Sequence, residues 1–347
     1  MSSFFTNKQV TIIIVCVAVV FVVFGILTTV IGLADDEKTS PGGYQPDKQN
    51  SEYKFEIKSE GVDDEEKSDE DTLVVKETIE GDPYEELNSL IGLESVKEEV
   101  RSLANYVKIQ KQREEKGLKN PKLSYHLVFT GSPGTGKTTV ARIVARIYKD
   151  LGILKKGHLV ETDRSGLIGK YVGQTAPRVN EMCDSALNGV LFIDEAYAIT
   201  QGGDQDYGDE AVATLLKRME DDRDRLVVIV AGYTEEMKHF IDANPGLQSR
   251  FNKYINFPDY TAEELYEIFV MYLRKNQYSI STEASQYLKS RLEYVVEHKD
   301  RNFGNARYVR NIFEKAIQNQ ANRLSSQSHS STEDLTQLKL DDIKKAL

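Results

Sequence analysis

Cysteine is nearly absent: of the two in 347 residues, Cys16 lies in an apolar N-terminal block and Cys183 far along the chain. No disulfide framework can hold a fold together from that pair, and the usage fits a reducing compartment. Histidine is scarce too. His126, His158, His239, His298 and His329 have no metal-ligand spacing and no accompanying Cys/His cluster, so they read as packing or surface residues. Basic excess is also missing. The net charge is -11, whereas a protein that neutralises nucleic-acid phosphates needs a basic face, so no nucleic-acid partner is expected. No internal repeat of solenoid length is present.

What the chain does have is length and uneven apolar content. At 347 residues it can bury one large α/β domain and a smaller one. After a short N-terminal segment, 1–10, residues 11–34 (TIIIVCVAVVFVVFGILTTVIGLA) carry no charge. A stretch of that length spans the hydrocarbon core of a bilayer as a helix, and we read it as a single transmembrane anchor. The competing reading is a cleaved secretory signal, because Gly32 and Ala34 are small residues at cleavage spacing; the length favours the anchor. Flanking Lys8, Lys38 and Lys48 do not fix its orientation. Residues 35–80 are rich in Asp, Glu, Ser, Lys and Gly and include Val62-Asp63-Asp64-Glu65-Glu66. They cannot bury enough apolar surface to fold, and form an acidic disordered tether with a reach of roughly 35 to 40 Å.

Beyond residue 80 the pattern changes. Residues 95–115 have helical periodicity, while 125–130, 189–193 and 226–231 are short apolar runs of the kind buried parallel strands make. Helix-period segments at 138–149, 176–187 and 210–220 lie between them. This alternation predicts an α/β domain over 81–258 with a parallel sheet between helices. From residue 261 strand signals fade, so 259–347 is expected to be a small all-α domain with a C-terminal tail.

The run Gly131-Ser132-Pro133-Gly134-Thr135-Gly136-Lys137-Thr138 follows the first strand and opens a helix. It matches G-x-x-x-x-G-K-[ST], the P-loop pattern. Its glycines let backbone N–H groups curl around phosphate oxygens, and the helix N-terminus adds its positive dipole. Lys137 reaches the outer phosphates, and Thr138 is a candidate ligand for Mg²⁺. Downstream, Val190-Leu191-Phe192-Ile193-Asp194-Glu195 has the form of a Walker B strand. Asp194 is a candidate to hold Mg²⁺ and Glu195 to polarise the attacking water. The expected cofactors are therefore ATP and Mg²⁺.

With these motifs in hand, residues 84–324 resemble an AAA+ P-loop ATPase followed by a helical lid, of the group containing red-type Rubisco activase and stage V sporulation protein K. Further stretches carry the resemblance: Leu90-Ile91-Gly92-Leu93, Phe192-Ile193-Asp194-Glu195-Ala196-Tyr197, Val230-Ala231-Gly232-Tyr233 and Asn244-Pro245-Gly246-Leu247-Gln248-Ser249-Arg250-Phe251. It implies that Ile91 and Gly92 line an adenine pocket and that Val140 joins the cofactor-binding residues. Arg250 would be an arginine finger serving a neighbouring subunit's site, and Arg307, in Gly304-Asn305-Ala306-Arg307, a phosphate sensor in the lid. Tyr171, Val172 and Gly173 would form a pore loop, and Gly202 to Gly208 a second channel loop. No sensor 1 residue is assigned, because Ala231-Gly232-Tyr233 lacks the small polar residue many relatives place there.

The function so implied is a membrane-anchored ATPase that remodels a client protein. It would work as a ring, a hexamer by analogy, with its ATPase domain in the cytoplasm. The alternative is an ATP-dependent membrane scaffold that recruits partners without threading them.

Overall fold

Alternation along three fully buried strands builds the sheet. In β1 (Leu127–Gly131), β3 (Gly189–Ile193) and β4 (Leu226–Gly232) every residue is buried or nearly so. Leu127, Phe129, Val190, Phe192, Val227, Ile229 and Ala231 point to one face, and Val128, Leu191, Ile193, Val228 and Val230 to the other. A strand apolar on both faces needs a helical layer on each, which is the condition for a parallel sheet. The computed structural model describes residues 81–121, 124–202, 207–325 and 330–347. The expected anchor and tether lie outside the described residues, as does most of the second channel loop. Among the described residues no helix is long and apolar enough to cross a membrane.

The sheet has five parallel strands in the order β2-β3-β4-β1-β5. Its edges are β2 (Leu159–Thr162) and β5 (Tyr254–Phe257). Helices α1 (Pro83–Ser89), α2 (Glu94–Glu115) and α3 (Lys137–Asp150) contribute to the first core layer. After the one-turn α4 (Arg164–Leu167), helices α5 (Thr175–Ser185), α6 (Gly208–Asp221), α7 (Thr234–Asp242) and α8 (Pro245–Arg250) contribute to the second. The three helices read from periodicity between the strands are thus present, each displaced by two residues or fewer at its ends.

The C-terminal part comprises α9 (Ala262–Lys275), α10 (Thr282–Glu297), α11 (Asn305–Leu324), α12 (Thr332–Thr336) and α13 (Leu340–Lys344). A capping box starts it: the Glu264 N–H donates to Thr261 Oγ1 at 3.2 Å, and the Thr261 N–H to Glu264 Oε2 at 2.7 Å. Phe313 packs with Phe269, Tyr272 and Tyr278, and these residues join the core layer that also holds Phe129 and Leu87. The lid is not purely helical. Strands β6 (Ser279–Ile280) and β7 (Gln337–Leu338) form a two-residue parallel pair, where the α9–α10 turn needs its backbone groups satisfied.

A charge cluster joins α5 to α6. The buried Asp222 carboxylate accepts from Arg218 Nε at 2.6 Å and Arg225 Nη2 at 2.7 Å, while Arg218 Nη2 reaches Asp184 at 2.6 Å. Burial works to raise the pKa of Asp222, but the hydrogen bonds from Arg218 and Arg225 outweigh it and hold the group below its ordinary 3.8. Its contribution is therefore fully present above that value and fades as the pH falls through the lower folded-state pKa. Asp222→Asn should cost about 2 kcal/mol at neutral pH, and denaturant titrations should show the gap to the parent protein closing in acid.

Candidate functional site

The sheet delivers its chemistry at the carboxyl ends of β1, β3 and β4. Beyond β1 the chain turns through Gly134 and Gly136, both at positive φ (70° and 92°), a conformation that costs a residue with a side chain about 1–2 kcal/mol. Lys137 then starts α3. Its ammonium donates to the carbonyls of Gly131 at 2.9 Å and Ser132 at 2.8 Å. The Thr135 hydroxyl is turned inward onto Ser132 O at 2.8 Å, so Thr135 offers the cleft its backbone only. The N–H groups of Gly134 and Gly136 meet no protein acceptor among the described residues. A turn that directs amides outward at a helix N-terminus, with a lysine beside it, is an anion cradle. Burial lowers the pKa of Lys137 and the Asp194 carboxylate opposes that shift.

Asp194 and Glu195 follow β3 directly. Glu195 has φ 47°, a left-handed conformation uncommon outside glycine that turns its side chain out of the strand direction. Its N–H donates to Asp194 Oδ1 at 3.1 Å. At the end of β4, Gly232 lies under the Tyr197 ring: a Cβ there would come within 2.7 Å of the ring and 2.9 Å of Met237 Sδ. Burial, then the Glu195 charge, push the Tyr197 hydroxyl up to about 12, so it remains a neutral donor beside the carboxylates.

These elements enclose a cleft of about 240 Å³. Pro133, Gly134, Gly136, Lys137 and Thr138 form one wall, Asp194 and Glu195 another, and Arg307 enters from the lid. Tyr233, quoted above only as part of a stretch that carries the resemblance, also lines it, as do Tyr272 and Arg310, which the sequence did not single out. Arg310 was within reach of sequence reasoning, standing three residues after Arg307 and so on the same helix face. Tyr272 lies on a different helix and carries no local signal.

Other expected site residues lie elsewhere. Val140 is fully buried on the core face of α3. Ile91 lines a neighbouring groove of about 1040 Å³ with Ser89, Ala262 and Tyr266, and Gly92 abuts the Glu264 side chain. The groove is the larger cavity, but it lacks the amide cradle and the paired carboxylates. Arg250 is also outside the cleft. Its guanidinium reaches Glu220 Oε2 at 3.5 Å and Gly246 O at 3.4 Å. Its carbonyl accepts from Ser124 Oγ at 2.6 Å, at the amino end of β1, roughly 15–20 Å of strand from the P-loop. Tyr171 and Val172 are 70% and 84% exposed, on a turn closed by Gln174 N–H to Tyr171 O at 3.2 Å and Gly169 N–H to Thr175 Oγ1 at 3.1 Å.

Comparison with known proteins agrees with this arrangement. Residues 127–259 match the ATPase family associated with various cellular activities (AAA), and residues 261–347 match the AAA lid domain. Stage V sporulation protein K of Bacillus subtilis (strain 168) is 41% identical over 74% of this chain and 80% of its own length. The chain belongs to the AAA ATPase family. The chloroplastic ribulose bisphosphate carboxylase/oxygenase activase of Cyanidioschyzon merolae (strain NIES-3377 / 10D) is 45% identical over 68% of this AAA ATPase and 80% of its own length. A crystal structure of the FIGL-1 AAA domain in complex with ADP shares the fold, with a TM-score of 0.52 at 20% identity over 74% of this chain and 82% of that one. As an AAA ATPase the protein binds and hydrolyses ATP.

The close packing at the end of β4 has a measurable consequence. Gly232→Ala should destabilise the fold by about 1–3 kcal/mol, lowering the thermal midpoint, because the added methyl displaces the Tyr197 ring.

Proposed function

We propose that this AAA ATPase remodels other proteins, hydrolysing ATP with Mg²⁺ at the subunit interfaces of a closed ring, a hexamer by analogy with its family. The observation that carries the reading is the exposure of Tyr171 and Val172 on a turn held by its own hydrogen bonds, one between backbone groups and one to the Thr175 hydroxyl. Large apolar side chains held out in water at one turn suit contact with a polypeptide, since an aromatic face grips chain of any sequence. The relative named an activase supports action on another protein; its client is not carried over.

Thr138 and Asp194 face the cleft with hard oxygen donors, which fits a cation that keeps water and phosphate oxygens among its ligands. Among the described residues no group of three or more His, Cys, Asp or Glu could form an all-protein cage. Bound there, Mg²⁺ would neutralise charge on the phosphates. Lys137 and Arg307 hold the outer phosphates, and Glu195 takes a proton from the water that attacks the γ-phosphorus, releasing ADP and phosphate. Arg250, too far from its own cleft, stabilises the transition state in a neighbouring subunit's site. Residues 11–34 tether the ring to a membrane and leave the ATPase in the cytoplasm, where its substrate is; their uncharged length supports this.

Two experiments test the assignment. Glu195→Gln should keep nucleotide binding and lose about 10²-fold or more in turnover, and Arg250→Ala should lose turnover as well. Mixing the two inactive variants should restore part of the activity, because some intact clefts then face an intact finger; mixtures that stay inactive would count against action in trans. Tyr171→Ala should retain basal ATP turnover and lose client remodelling in an unfolding assay.

A further inference from the structure

The carbonyl side of the P-loop is held from outside the loop. Asn305 Nδ2 donates to Pro133 O at 3.3 Å, the Ala306 N–H to Gly134 O at 3.1 Å, and the Tyr260 hydroxyl to Thr135 O at 3.3 Å. Three consecutive peptide oxygens are thus bound by donors from the interdomain linker and the first residues of α11. Lys137 takes the two before them, Gly131 O and Ser132 O. Because each peptide is planar, fixing its oxygen on one side also fixes the N–H of the same unit on the other.

Asn305 is the centre of this set. It is fully buried and sits at φ 45°, a left-handed conformation that asparagine tolerates better than most residues. Its Nδ2 also reaches Asp259 Oδ1 at 2.9 Å and Phe303 O at 3.1 Å, and its Oδ1 accepts the Tyr260 N–H at 3.0 Å. Asp259 is anchored in turn by Lys299 at 2.6 Å. One side chain therefore bonds to the P-loop, to the linker at residues 259–260 and to its own helix start. No space separates these parts: a Cβ on Gly134 would strike Gly304 O and approach the Arg307 N–H to 3.0 Å. Burial pushes the Tyr260 hydroxyl up to about 12, so it stays protonated as a donor.

We propose that Asn305 is a positioning residue for nucleotide binding, pinning the carbonyl edge of the P-loop to the linker and lid so that the loop's amides stay turned into the cleft. Arg307 reaches the phosphates from the same helix; Asn305 acts through the loop backbone and touches no nucleotide. This role rests on the cleft being the nucleotide site. Moving the lid then requires releasing P-loop carbonyls, which makes lid position and loop conformation one two-state element.

Full-length protein, its Asn305→Ala and Tyr260→Phe variants, and a Lys137→Ala control would be compared for ATP affinity, KM, kcat and thermal melting. Losing the donor pins leaves the amides less ordered for ground and transition states alike, so KM and Kd for ATP should rise while kcat at saturation is kept. The expected rise is about ten- to a hundredfold for Asn305→Ala and about three- to tenfold for Tyr260→Phe. A purely structural role would instead lower the melting midpoint and the active fraction, reducing kcat and leaving KM unchanged; that result, or wild-type KM in both folded variants, overturns the proposal. If Asn305→Ala does not fold, KM of Tyr260→Phe decides alone. Failure of the cleft reading would look different, as equal ATP binding by the parent protein and Lys137→Ala.

Discussion

The arrangement depends on a requirement of the backbone. A loop that offers amides to a phosphate must bind its carbonyls elsewhere, since a buried oxygen without a donor costs about 1–3 kcal/mol and would compete for those amides. Here the carbonyls from Gly131 to Thr135 are engaged in turn by Lys137, Asn305, Ala306 and Tyr260. The lysine that faces the cleft also closes the near half of the loop, and the lid closes the far half. Anion binding and domain docking are two sides of the same peptides.

From that constraint the division of labour follows. The sheet supplies rigid positions: Asp194 and Glu195 end a strand buried on both faces, so their backbone cannot drift relative to the P-loop two strands away. The helical part supplies Arg307 and Arg310, on a helix whose first residues are bonded to the loop. One basic side chain of the expected site stands apart from this cleft. Arg250 rests at the far end of the sheet with partners at 3.4 Å or more, a cation loosely held in its own subunit.

Sequence legibility tracked burial and contiguity. Strands β1, β3 and β4 were visible because both faces are apolar, whereas β2 buries only Val160 and β5 alternates exposed Tyr254 and Asn256 with buried Ile255 and Phe257; edges with one wet face look like loops. The pair β6–β7 spans two residues each and leaves no periodic trace. At the site, the contiguous run from Gly131 to Thr138 and the Asp194–Glu195 pair were readable from local pattern alone. Tyr260 and Tyr272 were not, because they come to the P-loop and its cleft only across more than a hundred residues of chain. Asn305 was in view as the neighbour of Arg307, but its bonds to Pro133 and Asp259 exist only in three dimensions. Ile91 and Val140, which the resemblance adds to the nucleotide-binding residues, lie in the adjacent groove and in the core.

The most direct test of the central claim is amide hydrogen exchange of the full-length protein with and without ATP. Nucleotide should slow exchange at residues 134–138 of the P-loop and in the first turn of α11 bonded to the loop. Unchanged exchange in both segments at saturating ATP, or protection confined to the groove around Ile91, would contradict the account.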